Sequence, residues 1–548
     1  MTSRRDLLTA LLGAPLLGCT ERRRFGGEIA GANDTLGHRL RDGFRPVPTR
    51  ESRVPVLIVG GGAAGLSAGW RLLRAGFTNF RIVELDEQPG GTARMGENAT
   101  SRYPWGAHYL PCPLPHAKAV IALLEEMNVA SRAADGSLQF DETQLCRAPQ
   151  ERIFVGDRFY EGLWPAAGAT AEDTRQLRAF QQEMERWANL RDARGRRAFA
   201  VPLAHGSDDA EVRALDRLSM AAWLAERNLT SARLRWYVEY ATRDDFGARL
   251  EDVSAWAAIH YFASRHENGH GAAFLTWPEG NGRLVAHLSR AAGARLQSGV
   301  AALDVTPRAG SVEVLAYAPR TGLTERILAE HVVLALPLAF AARVFAPWRA
   351  APPAYAKALQ TGAWLVANLS LSRAPASRGF PLAWDNVLHG SPSLGYVVAT
   401  HQLDPGGCAP FPGEPCARRA PSAPGESVWT WYYPFTETDS RAGRARLLSL
   451  DWRACADLAM ADLRRAHPDL ESCVSRLDVW RWGHAMPRPS PGLVFSQARL
   501  DAARPVGNVH FAHTDLSALA LFEEAQHHGV RAAEEILAAR GLRFESLL

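Results

Sequence analysis

The 548-residue chain has almost no lysine: of 62 basic residues only Lys118 and Lys357 are lysines, and the remainder are arginines. This reads as a bias of genomic base composition more than a functional feature. Basic and acidic residues nearly cancel, leaving a net charge of +4, which excludes nucleic acid as the main partner. Cysteine is scarce, with seven in all and no Cys-x-x-Cys spacing, so neither a zinc ribbon nor a dithiol redox site is written here. Cys408 and Cys416 flank a Pro/Gly-rich loop where oxidation would give a surface disulfide. Cys112, Cys146, Cys455 and Cys473 read equally well as buried thiols. No segment approaches the ~20 consecutive apolar residues of a membrane-spanning helix. What is abundant is apolar residues, 47% of the chain, enough for a large core and two domains.

The amino end has the layout of an export signal. Arg4-Arg5 precede an apolar stretch from Leu7 to Gly18, 12 residues long and too short to cross a bilayer of roughly 30 Å. It fits the h-region of a removable signal peptide. The paired arginines point to the twin-arginine route for proteins folded before export, and Leu16-Leu17-Gly18-Cys19 resembles a lipobox. Residues 1–19 are therefore expected to be a signal, with a membrane tether through lipidated Cys19. The destination is periplasmic or membrane-anchored. One acyl chain binds a membrane weakly, so stable tethering needs a second contact. Residues 20–53 are charged and Gly-rich without periodicity and read as a linker.

Val56 to Val59 form a continuous apolar run, as in a parallel strand buried on both faces. Gly60-x-Gly62-Ala63-Ala64-Gly65 follows at once, and Leu66, Trp70 and Leu73 then recur at helical spacing. A second strand, Phe80 to Leu85, carries Glu84, 19 residues beyond Gly65. The first glycine makes the turn, the second admits a pyrophosphate to the backbone, and the third lets helix and strand approach. The helix N-terminus offers free N–H groups to phosphates, and Glu84 accepts from the ribose hydroxyls. Strand, loop, helix and acid in this order predict a dinucleotide site.

The rest of the chain resembles FAD-dependent amine oxidases, protoporphyrinogen oxidases and carotenoid desaturases. Gly90-Gly91 resembles the glycine pair that follows their Rossmann unit, although Thr92 stands where the group usually has arginine and Arg94 lies two positions on. The Tyr103–Pro111 stretch, with Gly106, Ala107 and His108, looks like a flavin-facing loop. Trp277 to Val305 is similar to the family's Gly turn, helix and adenine-side strand, placing Val300 near adenine. The stretch from Asn508 to Leu537 resembles the closing flavin motif. It brings Asp515 towards the ribityl phosphate, and the N-terminus of a helix starting near Leu519, with Leu521 and Phe522, towards the flavin. A positive dipole there stabilises an anionic reduced flavin.

The resemblance implies an α/β fold: a Rossmann-type FAD-binding domain (54–115, 269–345, 491–548) plus an α+β substrate domain (116–268, mainly helical, and 346–490). FAD is the expected cofactor. The expected function is removal of hydride from a C–N or C–C bond of an amine or largely apolar small molecule, with an electron acceptor still to be identified. Alternatives are a desaturase or isomerase that does not use oxygen, a non-catalytic flavin-binding electron-transfer partner, and a nicotinamide-dependent dehydrogenase.

Two features depart from an oxygen-using amine oxidase. The strand Gly362–Ser372 lacks the lysine that many of these enzymes place near the flavin, and Leu521-Phe522 stand where many have a tyrosine. Orientation of a C–H bond in a dry pocket supplies much of flavin catalysis without a strong base. The catalytic candidates are accordingly His108 and His484, with Trp482 and the aromatic run Trp429–Phe435 as cavity walls. His266-Glu-Asn-Gly-His270 matches the zinc-protease pattern, which requires a helix. Asn268-Gly269 is a strong turn pair, so a turn without metal is expected.

Overall fold

The computed structural model describes residues 25–31, 34–267, 270–271, 273–403 and 425–548. The expected signal with Cys19, the Cys408/Cys416 pair and Asn268-Gly269 lie outside these residues. Two sheets organise the molecule. In the first, the strand Arg50–Val59 lies between Phe80–Glu84 and Leu323–Leu334, parallel to both. Leu296–Ser298 extends the parallel array at one edge and Val509–Phe511 at the other. Alternation along the central strand decides what packs on each face. Val56 and Ile58 are buried against the helices Ala63–Arg74, Gly282–Ala292 and Phe522–Ala539. Leu57 and Val59 are buried with Val305, Val312 and Val314 of the antiparallel strands Ala301–Arg308 and Ser311–Ala318.

The second sheet has eight strands among the described residues: Ile29–Ala30, Val474–Arg488, Gln360–Leu371, Ser427–Phe435, Gly395–Val398, Asp385–Leu388, Glu151–Val155 and Arg158–Glu161, in that spatial order. One face packs on the helices Ser440–Ser449 and Trp452–Leu463. The other looks towards the first sheet and the helix Ala232–Phe246. In Ser427–Phe435 every residue is buried, and alternation sorts them. Trp429, Trp431, Tyr433 and Phe435 pack on the helical side and only Tyr432 of the aromatic run reaches the cavity. The expected aromatic wall is thus one residue of this strand.

The 20–53 segment is not a featureless linker. Ile29–Ala30 pairs in parallel with Val479–Trp480, Asp34–Arg41 is a helix, and the first strand begins at Arg50 because Arg50–Val54 pair with Glu325–Ala329. Its elements are too short for periodicity to show, and single apolar residues, Phe25 and Leu36, do the anchoring. His266–Glu267 pairs antiparallel with His270–Gly271, an extended backbone that does not set two imidazoles one helical turn apart.

Candidate flavin site and cavity

The loop between first strand and first helix is fixed by contacts only glycine permits. Gly60 has φ +109° and donates its N–H to Val83 at 2.8 Å. A Cβ on Gly65 would lie 1.9 Å from the Gly60 carbonyl oxygen. Gly62 is different, with an ordinary extended φ of −75° and nothing within 4 Å of a Cβ built there. Neither backbone nor neighbours require glycine at 62, so the open space is a cradle for something outside the chain. The helix Ala63–Arg74 beyond it has no side-chain cap and no acid in its first turn, leaving N–H groups around Ala63, Ala64 and Gly65 free for an anion.

Other expected residues close around this loop. Glu84 accepts from the Gly61 N–H at 2.6 Å and the Asp86 N–H at 2.9 Å. Burial pushes its pKa up against these two donors. Val300 donates its N–H to the Glu84 carbonyl at 2.7 Å, which brings the residue expected at the adenine beside the acid expected at the ribose. Gly90 donates to the Gly61 carbonyl at 2.9 Å, and Gly90 and Gly91 have φ of +122° and +55°. Thr92 accepts from the Ala107 N–H at 3.0 Å, and a Cβ on Gly106 would lie 2.2 Å from the same carbonyl. Arg94 sits within this group but is engaged with protein: it donates to Asp86 and to the Gln88 carbonyl, both at 2.8 Å, and lies over the Trp480 ring.

The chain's carboxy-terminal part completes the site. A Cβ on Gly529 would lie 2.1 Å from the Ala64 carbonyl oxygen, so the closing helix crosses the first helix at backbone contact. Asp515 is buried, accepts the Leu338 N–H at 2.8 Å and lies 3.2 Å from His513 Nδ1, which with other donors lowers its pKa against burial. The closing helix starts at Phe522, three residues later than expected, with Leu521 as an uncapped N-cap. Its N-terminus opens on a cavity with about 840 Å³ of empty space.

Thr92, Gly106, Ala107, His108, Leu521 and Phe522 all line that cavity. Trp364, Tyr432, Trp482 and Met486 supply its apolar wall. Tyr432 Oη donates to the Gly106 carbonyl at 2.8 Å and Trp482 Nε1 to the Trp105 carbonyl at 2.6 Å, tying the second sheet to the loop of the first. The His108 ring lies 5.0 Å from Tyr432 and 5.5 Å from Trp384. Burial lowers its pKa to about 4, so it is a neutral hydrogen-bonding group at pH 7.

His484 is not brought to the cavity. On Val474–Arg488 three residues, 483–485, stand opposite Ala363 alone, and this bulge breaks the alternation that puts Trp482 and Met486 on the wall. The His484 ring instead meets Thr361 Oγ1 at 3.0 Å and packs on Phe340.

Sequence reasoning missed the charged wall. Asp244, Asp245, Arg265 and Glu523 line the cavity. Asp245 takes both its bonds from Arg265, at 2.9 and 3.2 Å, and Arg265 also donates to Tyr109 Oη at 2.9 Å. Asp244 has no such cation; burial and the neighbouring Asp245 push its pKa up to about 7. Burial does the same for Glu523. The one signal available was the Asp244-Asp245 pair late in the helix Ala232–Phe246, which carries no family motif.

A family model described as flavin containing amine oxidoreductase matches residues 63–537. The chain belongs to this family. Putrescine oxidase has the same fold at 16% identity and a TM-score of 0.64, over 89% of this chain and all of that one. Cyclohexylamine oxidase from Brevibacterium oxydans is similar at 17% identity and TM-score 0.61, over 89% and 99%. A fatty acid isomerase from P. acnes follows at 15% and 0.58, over 89% and 98%. Baeyer-Villiger monooxygenase 4 of Dietzia sp. (strain D5) is 33% identical over 129 residues, 23% of this chain and only 19% of that relative's length. This amine oxidoreductase is an FAD-dependent oxidoreductase with the two-domain fold of the group. The residues around Gly62 and the uncapped helix fit the ADP half of FAD, and Asn281 Oδ1, buried on the cavity wall without a partner, fits a ligand beyond it.

Proposed function

We propose that this enzyme oxidises a cationic alkyl amine at its C–N bond and passes the electrons to an acceptor other than oxygen. One observation carries the substrate class: half-buried Asp244 and buried Glu523 are carboxyls on a largely apolar cavity, and the one cation lining it among the described residues, Arg265, is already paired with Asp245. Two acids that bond to no cation in a largely apolar site favour a ligand that arrives with positive charge, because a charge in such a site is costly without a partner. A fatty carboxylate would meet like charge there.

Gly60–Gly65, Glu84 and Gly90–Thr92 would hold the ADP portion of FAD, and the Gly106–His108 loop with Leu521-Phe522 would face the ring. Bound flavin supplies the hydride acceptor. The protein's part is to exclude water with Trp364, Tyr432 and Trp482, to hold the ammonium at the carboxylates and to set the C–H bond at the ring face. No lysine among the described residues lines the cavity, which supports an acceptor other than oxygen. We also propose export by the twin-arginine route with Cys19 as the tether. Anaerobic mixing of purified enzyme with primary and secondary amines should bleach the flavin, with fatty acids and polyenes inert. Bleaching by fatty acids or polyenes alone would overturn this reading.

A further inference from the structure

Glu523 touches two voids. It lines the flavin cavity and also a second, much smaller void, with Lys118, Pro202, His205, Gln526 and His527. His527 is one helical turn beyond Glu523, so both side chains share a helix face. The His527 ring lies 6.1 Å from His205, and His205 5.5 Å from His116, next to exposed Lys118. At these centroid separations the neighbouring rings are in edge or tilted contact. The series runs from the buried cavity to the surface without crossing the apolar wall.

Oxidation of an ammonium needs such a route. A primary alkylammonium must lose one proton from nitrogen before the C–H bond on its α-carbon can leave with both electrons as hydride. The nitrogen lone pair freed by that proton then forms the second bond to the α-carbon. The products are an iminium cation, a hydride delivered to the bound flavin, and one proton that must reach solvent. We propose that Glu523 takes this proton and that His527 and His205 carry it through the second void to solvent. The proposal rests on the amine reading above.

The groups facing Glu523 suit an acid that is charged only part of the time. Arg265 across the cavity favours its anion, while Asp245 beside that arginine and Glu524 on its own helix oppose it, and burial pushes the pKa up to about 7. Burial, with His205 and Arg531 nearby, lowers the His527 pKa to about 3, so that imidazole is neutral at pH 7 and holds a proton only in passing.

Two measurements on the purified FAD-loaded enzyme test this. In a single anaerobic turnover with an amine that bleaches the flavin, an indicator dye should record the proton together with bleaching. In His527→Phe the proton should lag bleaching by tenfold or more, and added imidazole should shorten the lag. Infrared spectra without substrate should show a carboxylic-acid band near neutral pH that is lost in Glu523→Gln. Proton release keeping pace with bleaching in His527→Phe, or an unchanged band in Glu523→Gln, would overturn the relay. Failure of every amine to bleach the flavin would overturn the amine reading instead, and the substrate-free infrared band would still decide the protonation of Glu523.

Discussion

Individual residues separate what the fold requires from what a ligand requires. Gly60 and Gly65 are fixed by backbone conformation and by contact with the chain itself, whereas Gly62 has room for a side chain. Gly62→Ala should therefore fold normally yet bind FAD roughly tenfold or more weakly, about 1.4 kcal/mol, measured by flavin fluorescence on titration of stripped protein. Gly65→Ala should give insoluble protein. The cavity acids make the same distinction for substrate. Asp244→Asn keeps shape and hydrogen-bonding capacity but removes the charge, so KM for a cationic amine should rise about thirtyfold, equivalent to ~2 kcal/mol, with flavin content unchanged. Equal KM values in the two proteins would show that Asp244 does not meet the ammonium.

At the scale of elements, the closing helix and the bulged strand show what sequence conveys and what it does not. The nucleotide strand, loop and helix were legible because their chemistry is local. An apolar run, three glycines and an acid at fixed spacing each carry a physical requirement within 35 residues. That Val300 lies beside Glu84 was legible by resemblance to a known family order. The position of His484 was not, because a bulge opposite Ala363 redirects its side chain and no residue type announces a bulge. The acid wall was hidden for a related reason. Asp244, Asp245 and Arg265 come from helical segments that read only as amphipathic, and they meet Glu523 through packing of distant parts of the chain. Gly529 likewise looks like an ordinary helix glycine, yet it is where the closing helix meets the Ala64 carbonyl. Gly529→Val should destabilise the protein by on the order of 3 kcal/mol and release the flavin, seen as a lower melting temperature and a colourless preparation.

For the molecule as a whole, buried neutral histidines set the acid side of the stability curve. His467 is fully buried, faces the Ala376 carbonyl through Nδ1 and Tyr396 Oη through Nε2, and burial lowers its pKa to about 4. Below the ordinary value of 6.5 the unfolded chain binds a proton there that the folded chain refuses. Stability contributed by this site is thus present above pH 6.5 and is lost as pH falls towards 4, at up to ~1.4 kcal/mol per pH unit. His467→Gln should lower stability at pH 7 by about 1–3 kcal/mol through its lost hydrogen bonds. It should also flatten the dependence between pH 4 and 6.5, as read from urea midpoints across that range.

The strand Val509–Phe511 joins the sheet beside Leu323–Leu334, and the helix after it lies across the first helix. The earliest and the latest portions of the polypeptide thus meet at one place. During synthesis the glycine turn emerges hundreds of residues before the segment that locks it, so a ribosome-attached chain has an open vessel. Coenzyme capture is thus expected late in biogenesis, and a chain stopped before Val509 is expected to stay empty.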